Sequence, residues 1–342
     1  SNVQNRGTTR VLLKHQAPIV PEAFFGWLQC GDTQMVREML EHKADVHQPR
    51  EHDGETALVL VAASGEAEMI HLLVRWMAEV DLPNRKGITP LTRASSCRAD
   101  DVVNALLTSR ASPNAKTCSM SPLVAAALAS SVSTLQLLLD ASASADAMDQ
   151  HQRTALTAAA ATGSLPSCQL LLQARANPNT CGRAGSGGDG VAPLAIAVAA
   201  AHTALVEELL AARADIEQPS ERGQSPLMLA SAAGHVELCQ KLLKAKAEVN
   251  HCDGKTGKSP LILAAGVGAD NVCQLLLDSK ALVDAETSGG VTALHAAAAN
   301  GHDAVCRLLL SSNADANAVG PLGRTASAAA KHSGYPALAE IL

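Results

Sequence analysis

Apolar and polar positions along this chain return together at one long interval. Leucines 58, 91, 123, 156, 194, 227, 261 and 294 are separated by 32 to 34 residues, with a single gap of 38. Phe24 and Ser327 extend the register at either end, giving about ten units. Self-similarity at such a period signals short structural units that stack on their neighbours, because one unit cannot bury its own apolar face.

Each unit follows one physical grammar. The marker is preceded by Ser or Thr and then Pro or Ala, as in Thr89-Pro90-Leu91, Ser121-Pro122-Leu123, Ser225-Pro226-Leu227, Ser259-Pro260-Leu261, Thr56-Ala57-Leu58, Thr154-Ala155-Leu156 and Thr292-Ala293-Leu294. The hydroxyl can cap the orphan N–H groups of a helix, and proline at the first helical position loses no donor the helix needs. Three residues on stands a small alanine (Ala94, Ala126, Ala159, Ala197, Ala230, Ala264, Ala297, Ala330), which lets helices approach closely. Seven residues on, Gly31, Gly65, Gly163, Gly234, Gly268, Gly301 and Gly334 can take the left-handed conformation that ends a helix. A second helix follows, its apolar stripe ending in pairs such as Leu106-Leu107, Leu209-Leu210 and Leu309-Leu310. Polar, Gly-containing stretches such as Ser220-Glu221-Arg222-Gly223 then read as projecting turns. The pattern predicts an all-α fold of helix-turn-helix units.

The Ser/Thr-Pro-Leu phrase, Gly301-His302, Ala247-Glu248-Val249-Asn250 and Ala314-Asp315-Ala316-Asn317 resemble ankyrin repeats, most closely over Thr292 to Asn317. The resemblance covers residues 20–342 and implies an ankyrin-repeat α-solenoid of about ten units. Each unit would have two antiparallel helices and a hairpin-like finger, with fingers and first helices forming a concave binding face. Residues 1–19 form an N-terminal extension in which Leu12-Leu13-Lys14-His15-Gln16-Ala17 resembles the end of a preceding second helix. The run Gly185-Ser186-Gly187-Gly188-Asp189-Gly190 accounts for the long gap as a finger insertion at 181–191, expected to be the most mobile part of the array. Several departures from the family pattern stand out. The histidine after the marker survives only as His295, Ala192 replaces a capping hydroxyl, and Arg98, Ser130 and Ala201 occupy the helix-closing glycine slot, so those units should be less regular.

Composition narrows the function. Only 1% of residues are aromatic, so Ala, Leu and Val must do the packing. A net charge of −6 argues against a reader of nucleic-acid backbones. No run approaches the ~18 apolar residues of a membrane span, and Ser1 to Arg10 lacks a signal-peptide apolar region. Nine scattered cysteines suit a reducing compartment. An intracellular, cytoplasmic protein is the expectation, the other reading being one whose organelle-targeting segment was removed ahead of Ser1.

Candidate chemistry is absorbed by the repeat. Gly254-Lys255-Thr256-Gly257-Lys258-Ser259 lacks the upstream glycine of a phosphate loop, and its end is an ordinary repeat start. Cys168, Cys239, Cys273 and Cys306 occupy the core slot that holds Ile70, Val103, Leu135 and Val206 elsewhere, so buried, reduced thiols are expected. His251-Cys252-Asp253 offers fewer ligands than the four of a structural zinc. No catalytic residue, cofactor or metal is assigned.

The resemblance implies a protein-binding scaffold or adaptor. First-helix positions five and six residues after the marker face the groove in this family, which places Ser96, Ala161, Ala199, Ala200, Ala232, Ala233, Val267 and Asn300 on its floor. Charged finger residues Arg85, Lys86, Glu221 and Arg222 would flank it. The partner is expected to be a protein, with neither nucleic acid nor membrane insertion. Two other readings are the substrate-recruiting arm of a larger kinase or ubiquitin ligase, and a metal or redox sensor built on the cysteines.

Overall fold

The computed structural model describes every residue except 1, 17, 52, 116–119, 183–189, 221 and 321–322, with only the backbone of 2–5. The described residues form twenty-one helices and no strand. After the helix Asn2–Lys14 they fall into ten consecutive pairs, from Pro21–Gln29 with Thr33–Glu41 to Ala326–His332 with Pro336–Ala339. The chain divides into two compact units, Ser1–Ala176 and Asn177–Leu342.

In the first unit the first helices Pro90–Ser96, Pro122–Leu128 and Ala155–Thr162 pack in succession. The second helices Ala67–Arg75, Asp100–Thr108, Val132–Asp140 and Leu165–Gln173 form a parallel layer behind them. The core is Leu, Val and Ala, including Leu58, Leu91, Leu123, Ile70, Val103 and Leu135. Larger rings are confined to its start, where Phe24 and Phe25 meet edge to face at 6.0 Å and the Arg50 guanidinium lies 5.8 Å over Phe25. Ion pairs Arg6–Asp32 and Arg10–Glu38 tie the helix Asn2–Lys14 to the segment around Thr33–Glu41.

The second unit repeats the arrangement. First helices Pro193–Ala199, Pro226–Ala232, Pro260–Val267, Ala293–Ala299 and Ala326–His332 stack in one layer. Second helices Thr203–Ala211, Val236–Lys244, Asp270–Asp278 and Asp303–Ser311 stack in the other. The mobility expected of the 181–191 insertion concerns mostly residues outside the described ones. At its base, Gly182 and Val191 exchange antiparallel backbone hydrogen bonds of 3.0 and 2.8 Å.

The helix boundaries follow the sequence signals, with three informative differences. Thr56, Thr89, Thr154, Ser225, Ser259, Thr292 and Thr325 accept from the backbone N–H three residues on, but the Ser121 side chain does not, although its helix starts at the expected place. Proline at the following position suffices there. Arg98, Ser130 and Ala201 take φ of 58°, 53° and 58°, the conformation of the glycines they replace, so these turns keep their geometry at a local strain cost. The turn after the second helix of each of the first nine pairs is also left-handed, yet glycine-free: Lys43, Met77, Arg110, Ser142, Arg175, Arg213, Lys246, Lys280 and Asn313 all have positive φ. In each, the next residue donates back five positions, as Ala111 does to Leu106 and Ala247 to Leu242, closing the helix with a Schellman cap. Basic side chains there also complement the negative helix end.

Candidate protein-binding surface

The structure puts the expected groove residues at the ends of the first helices. In the first unit, Ser96 closes Pro90–Ser96, Ala161 lies in the last turn of Ala155–Thr162, and both are exposed. Arg85 and Lys86 are exposed on the finger before Thr89. Asn84 shapes that finger: its Oδ1 accepts from the N–H groups of Lys86 and Ile88, each at 3.0 Å, and its Nδ2 donates to Glu55 at 3.2 Å. Arg93 donates to the same Glu55 oxygen at 3.0 Å, fastening finger to helix.

In the second unit, Ala199, Ala200 and Ala233 are exposed and Ala232 is half-buried. Arg222 is exposed, and Glu221 lies outside the described residues. Val267 and Asn300 share a cleft of about 550 Å³ whose floor includes Ile262, Val291 and Ala296, with Lys258 and Ser288 on the finger side. Val267 is 52% exposed. Asn300 donates through Nδ2 to the carbonyls of Gly266 and Ala296, at 3.0 and 2.9 Å, so it links adjacent first helices while forming part of the groove wall.

The position after the marker leucine decides how a first helix is tied to the next finger. His295 is buried, with Nδ1 2.9 Å from the Thr292 hydroxyl and Nε2 3.1 Å from the Arg324 carbonyl. Thr92, at the equivalent position, donates to the Met120 carbonyl at 3.2 Å. Val59, Val124, Ala195, Met228 and Ile262 carry no donor at that position and can make no such bond. His302 works at the other end of the helix, its Nε2 3.2 Å from the Gly266 carbonyl, and its ring covers Gly268, where a β-carbon would collide with it. Gly268 also needs its φ of 72°, so two constraints select glycine.

A polar ladder, missed in the sequence, runs along the fingers twenty-three residues after each marker. Asn114 accepts from Ser144 N–H at 2.8 Å and donates to the Ser142 carbonyl at 3.0 Å. Asn179 does the same with Asp215 and Arg213, and Asn250 with Leu282 and Lys280. Asp81 accepts from Ser112 through both oxygens, at 3.0 and 3.2 Å, and Asp284 accepts from Asp315 at 3.0 Å. The phrase ending in Asn was visible; that its last side chain grips the next unit's backbone requires the stacking distance.

Cys168, Cys239, Cys273 and Cys306 are fully buried in the helix layers. Burial pushes the Cys168 and Cys273 thiols up to about 12, and those of Cys239 and Cys306 to about 11. Nearby Asp270 and Asp303 add to the shift at Cys273 and Cys306. Such thiols are protonated near neutral pH and are poor nucleophiles and metal ligands. Among the described residues, no helix is long and apolar enough to cross a membrane.

Comparison with known proteins agrees with this architecture. The family model described as ankyrin repeats (3 copies) matches residues 27–117, 114–181, 180–253 and 245–320. Neurogenic locus notch homolog protein 1 of Xenopus tropicalis is 31% identical over 141 residues, which is 38% of this chain and 6% of that protein's length. With the family model spanning residues 27 to 320 and helix pairs recurring throughout that span, the chain belongs to the ankyrin-repeat family, whose repeats are protein–protein interaction modules.

Proposed function

We propose that this chain is a non-catalytic scaffold or adaptor that holds a protein partner on the face made by its fingers and first helices. The observation that carries this reading is the small, exposed side chains at the first-helix ends within each unit: Ser96 and Ala161 in the first, Ala199, Ala200 and Ala233 in the second. A surface so lined offers few of the Trp, Tyr and Arg anchors that dominate interface energetics, so the partner supplies the large side chains. It lays a helix or extended segment on the floor while Arg85, Lys86, Arg222 and Glu221 set its register.

The test begins with capture of partners from native extract using the reduced chain, identification by mass spectrometry, and a binding assay with the purified partner. Ala199→Trp combined with Ala232→Trp should lower affinity at least tenfold with helical content intact, because the added rings occupy the floor. Gln240→Trp, on an exposed second-helix position, should leave affinity unchanged. Undiminished binding by the double variant would exclude this face as the site.

A further inference from the structure

One rung of the finger ladder differs in kind. Asn114, Asn179 and Asn250 at this position each form two hydrogen bonds, and Asp81 uses both oxygens, whereas Glu217 carries one methylene more than an Asp. Its Oε1 accepts from the Glu248 N–H at 2.7 Å, the ordinary rung. Its Oε2 is buried and has no hydrogen-bond partner. A carboxylate oxygen withdrawn from water without a donor is unfavourable unless a positive centre faces it. His251 Nδ1 lies 3.7 Å from that oxygen and 3.7 Å from Glu248 Oε2. One ligand atom from each of the three side chains falls within 4.8 Å of the other two.

We propose that Glu217, Glu248 and His251 bind a divalent transition cation of the zinc class. Two carboxylate oxygens and one imidazole nitrogen form a hard-to-borderline donor set suited to zinc, and the imidazole disfavours magnesium and calcium. Zinc bonds of ~2.0–2.2 Å place tetrahedral donors about 3.3–3.6 Å apart, so the two 3.7 Å separations need little adjustment. The wider separation closes through Glu248, whose side chain is 65% exposed and free to swing inward. Glu217 is held by its rung, and His251 N–H donates to the Glu248 carbonyl at 3.2 Å, so two of the three ligands share one short turn. Water completes the fourth position. The Cys252 thiol donates to the Asn250 carbonyl at 3.4 Å and is outside the set. Because Glu217 comes from the sixth helix pair and the other two ligands from the seventh, the ion staples adjacent repeats.

Calorimetric titration of the reduced full chain with zinc chloride, using a non-chelating phosphine reductant, tests the site. One equivalent should bind, and bound zinc should raise the unfolding midpoint because the ligands are brought together only in the folded state. His251→Ala and Glu217→Gln should each weaken that equivalent at least tenfold. The amide introduced by Glu217→Gln can still accept from the Glu248 N–H, so circular dichroism of that variant should match the parent. Cys252→Ser should leave the affinity unchanged, and X-ray absorption of the zinc-loaded chain should show a nitrogen and oxygen shell without sulfur. If zinc binds no better than to the His251→Ala chain, the three side chains do not act together as ligands and the proposal fails. Undiminished affinity in both ligand variants, or a sulfur shell, overturns it as well.

Discussion

The sixth and ninth helix pairs, Pro193–Ala199 with Thr203–Ala211 and Ala293–Ala299 with Asp303–Ser311, share one apolar frame but differ in polar fastening. Leu194 and Leu294, Ala197 and Ala297, Leu209 and Leu309 are buried alike, as are Val206 and Cys306 at their common slot. The ninth pair adds the Thr292 cap, the His295 bridge to Arg324 and a glycine turn at Gly301. The sixth has Ala192 without a cap, Ala195 without a bridge, and Ala201 forced to a φ of 58°. Its helices nevertheless keep the same lengths as those of the ninth. Apolar stacking therefore suffices to define the unit, and the polar bonds reinforce a geometry already set. That hierarchy is expected when burial of one Leu contributes about 1.5–3 kcal/mol and a neutral hydrogen bond about 1 kcal/mol net.

The comparison breaks most readily at the shared frame. Leu194→Ala and Leu294→Ala should each destabilise the chain by about 3 kcal/mol in urea unfolding, since both empty a fully enclosed site. A loss at one position more than about 2 kcal/mol above the other would show that the frames are not equivalent. Next comes His295→Ala, which removes the imidazole from the Arg324 carbonyl, leaving that oxygen only the Gly320 N–H at 2.8 Å, and removes the N-cap contact, for an expected loss of about 1–3 kcal/mol. Ala195 has no bridge to lose, so Ala195→Gly should cost its helix propensity and one buried methyl, together about 1–2 kcal/mol. A His295→Ala loss below about 0.5 kcal/mol would make the bridge incidental.

The smallest effect near neutral pH is expected from Cys306→Val, which copies Val206. Its consequence lies in the alkaline range. The native Cys306 thiol ionises only at about 11, against an ordinary value of 9.0, so between these values the unfolded chain sheds the proton first. The stability this thiol contributes is present below about pH 9 and is lost as pH rises towards 11. Cys306→Val should leave stability at pH 7 within about 1 kcal/mol and flatten the decline above pH 9. An unchanged alkaline slope would assign that decline to other groups.

The local features were legible because they obey short-range rules. Capping hydroxyls, prolines at the first helical turn, helix-closing glycines and the in-register core cysteines each announce themselves within a few residues. The glycine-free second turns did not, because Lys246 or Arg213 tolerates a left-handed φ only where the Schellman bonds and the buried alanine that follows hold it there. The irregularity expected of the Arg98, Ser130 and Ala201 turns does not occur, for the same reason: neighbouring packing overrides intrinsic preference.

By itself the chain determined the period, the helix pairs and which face of each helix is apolar, since all three depend on residue spacing and on which groups water excludes. Tertiary structure decided which side chains from different repeats meet. Glu217 lies thirty-four residues before His251 in the sequence, yet stacking brings its Oε2 to 3.7 Å from the imidazole. Asn114 reaches the backbone of Ser142 and Ser144 in the same way. Such contacts depend on the rise and offset between stacked helices, quantities set by how closely small residues let the layers approach, and no linear spacing encodes them directly.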